Sequence, residues 1–284
     1  MDKIKVILFG MTGQGNNAFK VLRELSYIDL LCVFTPGRQD SPFPYYQCEK
    51  LQDLVQSTGI PLYEDLPFKG QSGFQVIREL NPDLIVVSTF NQIIPEAIIR
   101  MPKLGVVNVH PSLLPKYRGA TPTVWTLANG EEETGVTVHF IESEKIDSGR
   151  IIMQHKLRID DRDTDGMLRH KLASLSEKTL AAALDSLCVK GENVFQPQDE
   201  AEATYFPKRT INDAELNLNA PFKNIYNKTR AMTPHPGAYI IQDGQKYKVR
   251  DAVLVKAMDF RGGNSIDGRI VVQTLEGMVQ FSVA

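Results

Sequence analysis

Six short apolar runs constrain this chain more than any other feature: "IKVILFG", "DLLCVFT", "PDLIVVST", "GVVNVH", "GVTVHFI" and "GRIIMQHKL". Several are hydrophobic at successive positions, so both faces of the strand need cover, and a parallel sheet flanked by helices supplies it. Helix-patterned stretches near "AFKVLREL", "CEKLQDLVQSTG" and "FQVIREL" fall between the early runs. This alternation predicts an α/β domain with a doubly wound, mostly parallel sheet. A longer helix is expected over Thr164 to Leu187, where Leu168, Leu172 and Leu175 keep helical spacing and Thr164 serves as N-cap.

The texture changes after "GENVFQPQDEAEATYFPKR", where Pro197 and a polar run mark a linker. Beyond it, "GAYIIQDGQKYKVRDAVLV" reads as a hairpin turning at Asp243-Gly244, and "DGRIVVQTLEGMVQFSV" as a second turning near Glu276-Gly277. The expected division is a domain of residues 1–203 and a small β-rich domain of residues 204–284.

A formal net charge of -2 gives no general attraction to nucleic acid or anionic membrane. Cys32, Cys48 and Cys188 form no CxxC pair and are odd in number, so neither a disulfide framework nor a cysteine metal site is expected. They read as reduced thiols in a cytoplasmic protein. "MDKIKVILFG" reads as a first strand and not a signal peptide, and no segment approaches membrane-spanning length.

The stretch "VVNVHPSLLPKYRGATP" breaks the apolar pattern. Asn108 and His110 lie two apart on a strand and so share a face. Pro111, Pro115, Gly119 and Pro122 then keep the chain irregular, which leaves both side chains at a strand end opening onto a loop. Open α/β sheets bind their ligands there. Asp147 stands alone in a later Ser-, Lys- and Gly-bearing loop after another strand.

In order along the chain, "NVHPSLLPKYRGATP", "GEEETGVTVHF" and "IDSGRII" carry Asn-x-His, a Ser-Leu-Leu-Pro-x-x-Arg-Gly loop and an Asp-x-Gly. On these motifs the chain resembles the formyltransferases that use 10-formyltetrahydrofolate, through most of residues 1–190 and more weakly beyond. The resemblance implies a Rossmann-like catalytic domain, an OB-like second domain, 10-formyltetrahydrofolate as formyl donor, no metal, and Asn108, His110 and Asp147 as the catalytic set. It also places the pterin against Gln92, Ile93 and Ile94 and against Ser143, Glu144, Lys145 and Ile146. Ser112, Leu113, Leu114 and Pro115 would floor the formyl group.

These residue types suit acyl transfer to an amine. Attack on the formyl carbon creates an oxyanion, for which the Asn108 amide and a protonated His110 are expected donors. The departing folate nitrogen needs a proton, which makes His110 the natural general acid, and the Asp147 carboxylate is expected to raise its pKa. The competing readings are a structural strand-end histidine, a turn-forming asparagine and a solvated loop aspartate. His139, His155, His170 and His235 have no comparable setting and read as structural or surface residues.

The resemblance spans three acceptor branches. The branch acting on glycinamide ribonucleotide resembles the first domain alone. Methionyl-tRNA formyltransferase has a C-terminal β domain, but its loop after the second strand is rich in Arg and Lys, whereas "TPGRQDSPFPYYQCEK" is not. The third branch formylates a nucleotide-linked amino-deoxysugar, and "ATYFPKR" with "PFKNIYNKTRAMTPHPGAYI" is similar to its segment after the catalytic domain. On that reading Lys208 and Arg209 meet a diphosphate, Tyr45, Tyr46 or Phe206 stacks on a base, Arg230 joins from a helix, and Gly10 and Thr12 offer backbone N–H groups to phosphate. For each of these the competing reading is a surface cation, a core aromatic or a tight turn.

The expected protein is therefore a sugar N-formyltransferase with a nucleotide-sugar partner, no nucleic acid or membrane partner, and a homodimeric state. Methionyl-tRNA formylation is the alternative within the family. Outside it stand a non-catalytic or NAD-binding Rossmann protein and a hydrolase releasing formate. The glycine loop "GMTGQG" is spaced GxxGxG and not GxGxxG, which speaks against the dinucleotide reading.

Overall fold

The structure, a computed structural model, describes residues 2–37, 48–68, 71–191, 195–255 and 268–283. The chain forms two compact units from interleaved stretches: residues 1–118, 135–157 and 171–205 make the first, and residues 119–134, 158–170 and 206–284 the second. The last passage between them falls at residues 205 and 206. Four earlier passages, at 118/119, 134/135, 157/158 and 170/171, precede it.

The first unit is organised on strands β1 (Ile4–Gly10), β2 (Ile28–Thr35), β3 (Leu62–Glu64), β4 (Leu84–Ser88) and β5 (Val106–His110). After the two-residue β6 (Arg118–Gly119) come β7 (Glu133–Phe140) and β8 (Ile151–Arg158). They form a seven-stranded sheet in the order β3-β2-β1-β4-β5-β7-β8. Neighbours from β3 to β5 run parallel, and β7 lies antiparallel to β5. The expected doubly wound, mostly parallel sheet is present.

Val6, Ile7, Leu8 and Phe9 of β1 are fully buried, as a strand covered on both faces requires. Each such side chain contributes about 1.5–3 kcal/mol relative to exposure. Helices α1 (Gln14–Glu24), α2 (Leu51–Gln56), α3 (Gln71–Leu80) and α4 (Glu96–Ile99) alternate with the strands. One face of α1 buries Ala18, Phe19, Val21 and Leu22 at helical spacing. In the glycine loop a Cβ on Gly15 would lie 3.2 Å from the backbone of Gly10, tighter than ordinary packing, so glycine there eases the close approach of helix and strand.

Within the second unit, α5 (Pro122–Ala128) packs against α7 (Phe222–Ala231), and α7 packs on the sheet. The helix between them in sequence, α6 (Asp165–Leu184), has residues 165–170 in this unit and 171–184 in the first, and it opens at the expected cap, with the Met167 N–H donating to Thr164 Oγ1 at 3.3 Å. After the short β9 (Tyr205–Phe206), strands β10 (Ala238–Gln242), β11 (Gln245–Val255), β12 (Arg269–Thr274) and β13 (Gly277–Val283) form an antiparallel sheet in the order β10-β11-β13-β12. Both expected hairpins are there. Asp243 and Gly244 have φ of 51° and 76°, the two positive values that a type I′ turn needs. Thr274 pairs with Gly277, so the second turn sits on Leu275 and Glu276. Among the described residues no helix is long and apolar enough to cross a membrane.

Candidate active site

Strand β5 carries Asn108 and His110 to its C-terminal end, and Pro111 stops the ladder there. Asp147 comes from the loop between β7 and β8 and adopts φ of 50°, a left-handed conformation uncommon outside glycine. Two residues on, Gly149 is required sterically, because a Cβ there would overlap the Phe140 carbonyl oxygen. That closeness turns the loop back on β7, and it gives the Asp-x-Gly motif its physical reason.

The three residues meet. Asn108 Nδ2 donates to Asp147 Oδ1 at 3.2 Å, and His110 Nδ1 lies 3.6 Å from Asp147 Oδ2. On its other edge, His110 Nε2 donates to the Tyr117 carbonyl at 2.9 Å. A carbonyl only accepts, so this contact keeps a proton on Nε2 and leaves Nδ1 as the basic nitrogen of the neutral ring. His110 is buried, and burial pushes its pKa below the ordinary histidine value although the Asp147 carboxylate pulls the other way. The expectation of a raised pKa is corrected: desolvation of the imidazolium outweighs its partner.

His139, read from the sequence as structural or surface, lies in the same cluster. The antiparallel register sets it opposite Asn108, fully buried, with Nε2 at 3.1 Å from Asn108 Nδ2 and 3.5 Å from Asp147 Oδ1. Its Nδ1 donates to the Phe140 carbonyl at 2.8 Å, which leaves Nε2 to accept from the amide. The sequence signal lay in the pairing of β5 with β7, which strand patterns alone do not give.

Around this cluster the expected contact residues divide. Ile93 is 64% exposed and Ile146 is 44% exposed, an unusual presentation for large apolar side chains. Ser143, Glu144 and Lys145 are also exposed. Ile94 is instead buried in the core, and the Gln92 side chain is held by the Phe68 N–H at 3.2 Å and the Leu66 carbonyl at 3.3 Å. Ser112 and Leu114 are interior too: Ser112 Oγ donates to the Lys116 carbonyl, and the Leu114 N–H donates to Thr137 Oγ1. They hold the loop's shape, while Leu113 and Pro115 are half-buried. A cavity of about 260 Å³ lies beside the Asp147 turn, lined by Arg118, Lys145, Ile146, Ala203, Thr204 and Tyr205.

The expected substrate contacts fare less evenly. Tyr45 and Tyr46 lie outside the described residues. Gly10 is buried in the close helix–strand contact, and Thr12 Oγ1 accepts the Leu51 N–H at 3.1 Å, starting α2. Lys208 is exposed. Arg209 and Arg230 lie in internal networks: Arg209 reaches the His235 carbonyl and the buried Asp165, and Arg230 is buried with Nε donating to Asn227 Oδ1 at 3.0 Å and Nη1 to the Asp160 carbonyl at 3.2 Å. Both guanidinium groups brace the second unit. Among the described residues no cluster of His, Cys, Asp and Glu is arranged to hold a metal ion.

Comparison with known proteins adds to this geometry. Residues 5–184 match the family model for formyl transferase, and residues 209–283 match the formyl transferase C-terminal domain. Methionyl-tRNA formyltransferase of Staphylococcus aureus (strain MW2) is 36% identical over 253 residues, covering 89% of this chain and 80% of that protein. Among solved structures, WlaRD, a sugar 3N-formyl transferase with dTDP and 5-N-formyl-THF, aligns with a TM-score of 0.74 at 20% identity over 100% of this chain and 98% of its own. An N-formyltransferase from Helicobacter canadensis, in complex with folinic acid and dTDP-3-aminofucose, aligns with a TM-score of 0.73 at 21% identity over 99% and 100%. The chain belongs to the formyl transferase family, and it is a formyl-transfer enzyme of the folate-dependent kind.

Proposed function

We propose that this enzyme moves a formyl group from 10-formyltetrahydrofolate to the amine of a nucleotide-linked amino-deoxysugar, with Asn108, His110 and Asp147 doing the chemistry. The observation that carries the acceptor choice is the charge of residues 36–50, where Arg38 and Lys50 are balanced by Asp40 and Glu49. A nucleic-acid binder needs a cationic surplus to displace counterions, and this segment has none.

The folate supplies an activated formyl carbon. Exposed Ile93 and Ile146 fit a flat heterocycle, and the exposed backbone of Ser143 to Ile146 fits its polar edge. Asn108 turns one N–H from Asp147 or His139 toward the formyl oxygen and stabilises the charge that grows there. His110 begins neutral, takes the incoming amine's proton on Nδ1 and returns it to the nitrogen that departs. Asp147 holds the transient imidazolium, and the Tyr117 carbonyl keeps the ring oriented throughout. Lys208 remains as an exposed cation for an anionic acceptor.

A second reading, methionyl-tRNA formylation, is favoured by the 36% identity above and by Lys246, Lys248 and Arg250, all exposed at alternate positions of β11. One experiment separates them. The protein is mixed with 10-formyltetrahydrofolate and either a panel of nucleotide-linked 3-amino and 4-amino deoxysugars or charged initiator tRNA. Tetrahydrofolate release and product mass are then followed. A formylated sugar, absent with His110→Ala, supports the proposal; formylated tRNA overturns the acceptor choice.

A further inference from the structure

The segment read from sequence as a linker does more than join two domains. Gln196 pairs with Ile151 through both backbone bonds, at 2.8 and 3.0 Å. Gln198 Nε2 donates to two carbonyls of the Asp147 turn, Asp147 itself at 2.8 Å and Gly149 at 2.7 Å. The Gln198 Oε1 accepts from Arg118 Nε at 3.1 Å and from Arg118 Nη2 at 2.9 Å. Arg118 is buried and forks onto Glu200 at 2.9 and 3.1 Å, and Lys145 Nζ reaches the same carboxylate at 2.9 Å. Two cations hold the Glu200 pKa at about 2. Farther along, Thr204 Oγ1 accepts the Tyr117 N–H at 2.8 Å, and the Thr204 carbonyl accepts the Arg118 N–H at 2.9 Å.

This segment therefore grips both sides of the His110–Asp147 pair. One grip is on the turn that presents Asp147, the other on Tyr117, whose carbonyl receives His110 Nε2 and whose own φ is 61°. Left-handed non-glycine residues such as Asp147 and Tyr117 are strained and persist only where their surroundings enforce them. We infer that Gln198, braced by Arg118 and Glu200, is a positioning residue that clamps the Asp147 turn so that the carboxylate faces His110. The inference rests on the proposed role of Asp147, and it adds a residue remote from the reacting atoms.

The test uses Gln198→Ala and the near-isosteric Gln198→Met in the full chain, with Asp147→Asn alone and combined with each. Turnover should fall on the order of 10- to 100-fold in the single Gln198 variants, the scale of a misplacement near 1 Å. Gln198 changes should add nothing in the Asp147→Asn background, and full losses in both backgrounds would overturn the clamp. An activity-independent readout is the NMR titration of His110, which faces Asp147, His139 and the Tyr117 carbonyl. Gln198→Met should move its midpoint down, in the direction of Asp147→Asn; an unmoved midpoint also overturns the clamp. A wild-type protein inactive on every amine would defeat the proposed acceptor and leave the titration result standing.

Discussion

Two aspartates, one in each unit, show how differently a carboxylate can be held. Asp165 in the second unit is fully buried and saturated: Thr123 Oγ1 donates to one oxygen at 2.8 Å, Arg169 Nε to the other at 2.8 Å, and Arg209 stands 3.9 Å away. Asp147 in the first unit is held by groups of another kind. Its neighbours are an amide at 3.2 Å and two histidines at 3.5 and 3.6 Å, and it sits on a strained turn. Short charge-assisted bonds fix a group in one state, whereas longer contacts to groups that can gain protons leave a carboxylate responsive. The first arrangement suits stability, and the second suits the proton transfer proposed for this site.

The contrast is sharpest in what removal costs. Asp165→Ala strands the Arg169 guanidinium in the interior and should destabilise the protein by about 3–5 kcal/mol in chemical denaturation. A loss under about 1 kcal/mol would erase the distinction between the two sites. His110→Ala should lower turnover about 10²–10⁴-fold, the range for losing a general acid–base group, while the unfolding midpoint moves far less than for Asp165→Ala.

pH sharpens it further. Burial depresses the His110 pKa below the usual value near 6.5, so folding releases a proton and the unfolded chain binds more protons in the window beneath that value. The stability from this group is present above the window and is lost as pH falls through the folded pKa. Turnover should decline over the same acidic range as Nδ1 becomes protonated. Asp147→Asn should move that limb to lower pH, and a rate profile with its acidic limb above pH 6.5 would contradict the neutral starting state. The smallest effect marks the baseline: Glu96→Ala breaks an exposed i,i+4 pair with Arg100 and should cost only about 0.3–0.5 kcal/mol by thermal melting.

The parts of this molecule that were legible in the sequence are those with local causes. Strand β1 declared itself by an unbroken apolar run, the hairpin at Asp243-Gly244 by its turn residues, and the Asn108, His110 and Asp147 set by ordered motifs. What was hidden depends on distant partners. His139 enters the cluster through an antiparallel register, and the internal partners of Arg209 and Arg230, such as Asp165 and Asn227, are far away or unmarked in the sequence. The segment around Gln198 reads as a linker because the side-chain bonds of Gln198 run to residues 49 to 80 positions away, from Gly149 to Arg118. Polarity by itself does not distinguish a solvated strand of chain from one tied down at both ends.

The interleaving of the two units has a consequence for synthesis on the ribosome. Every residue of the first unit has been made once residue 205 is added, so its sheet and the His110–Asp147 pair can form while the rest is still being translated. The second unit has by then received only residues 119–134 and 158–170, and α5, which carries the fully buried Val124 and Leu127, still awaits α7, the helix it packs against. A transcript cut short after residue 205 would thus yield a chain with exposed apolar surface, a client for chaperones and not a free-standing small enzyme.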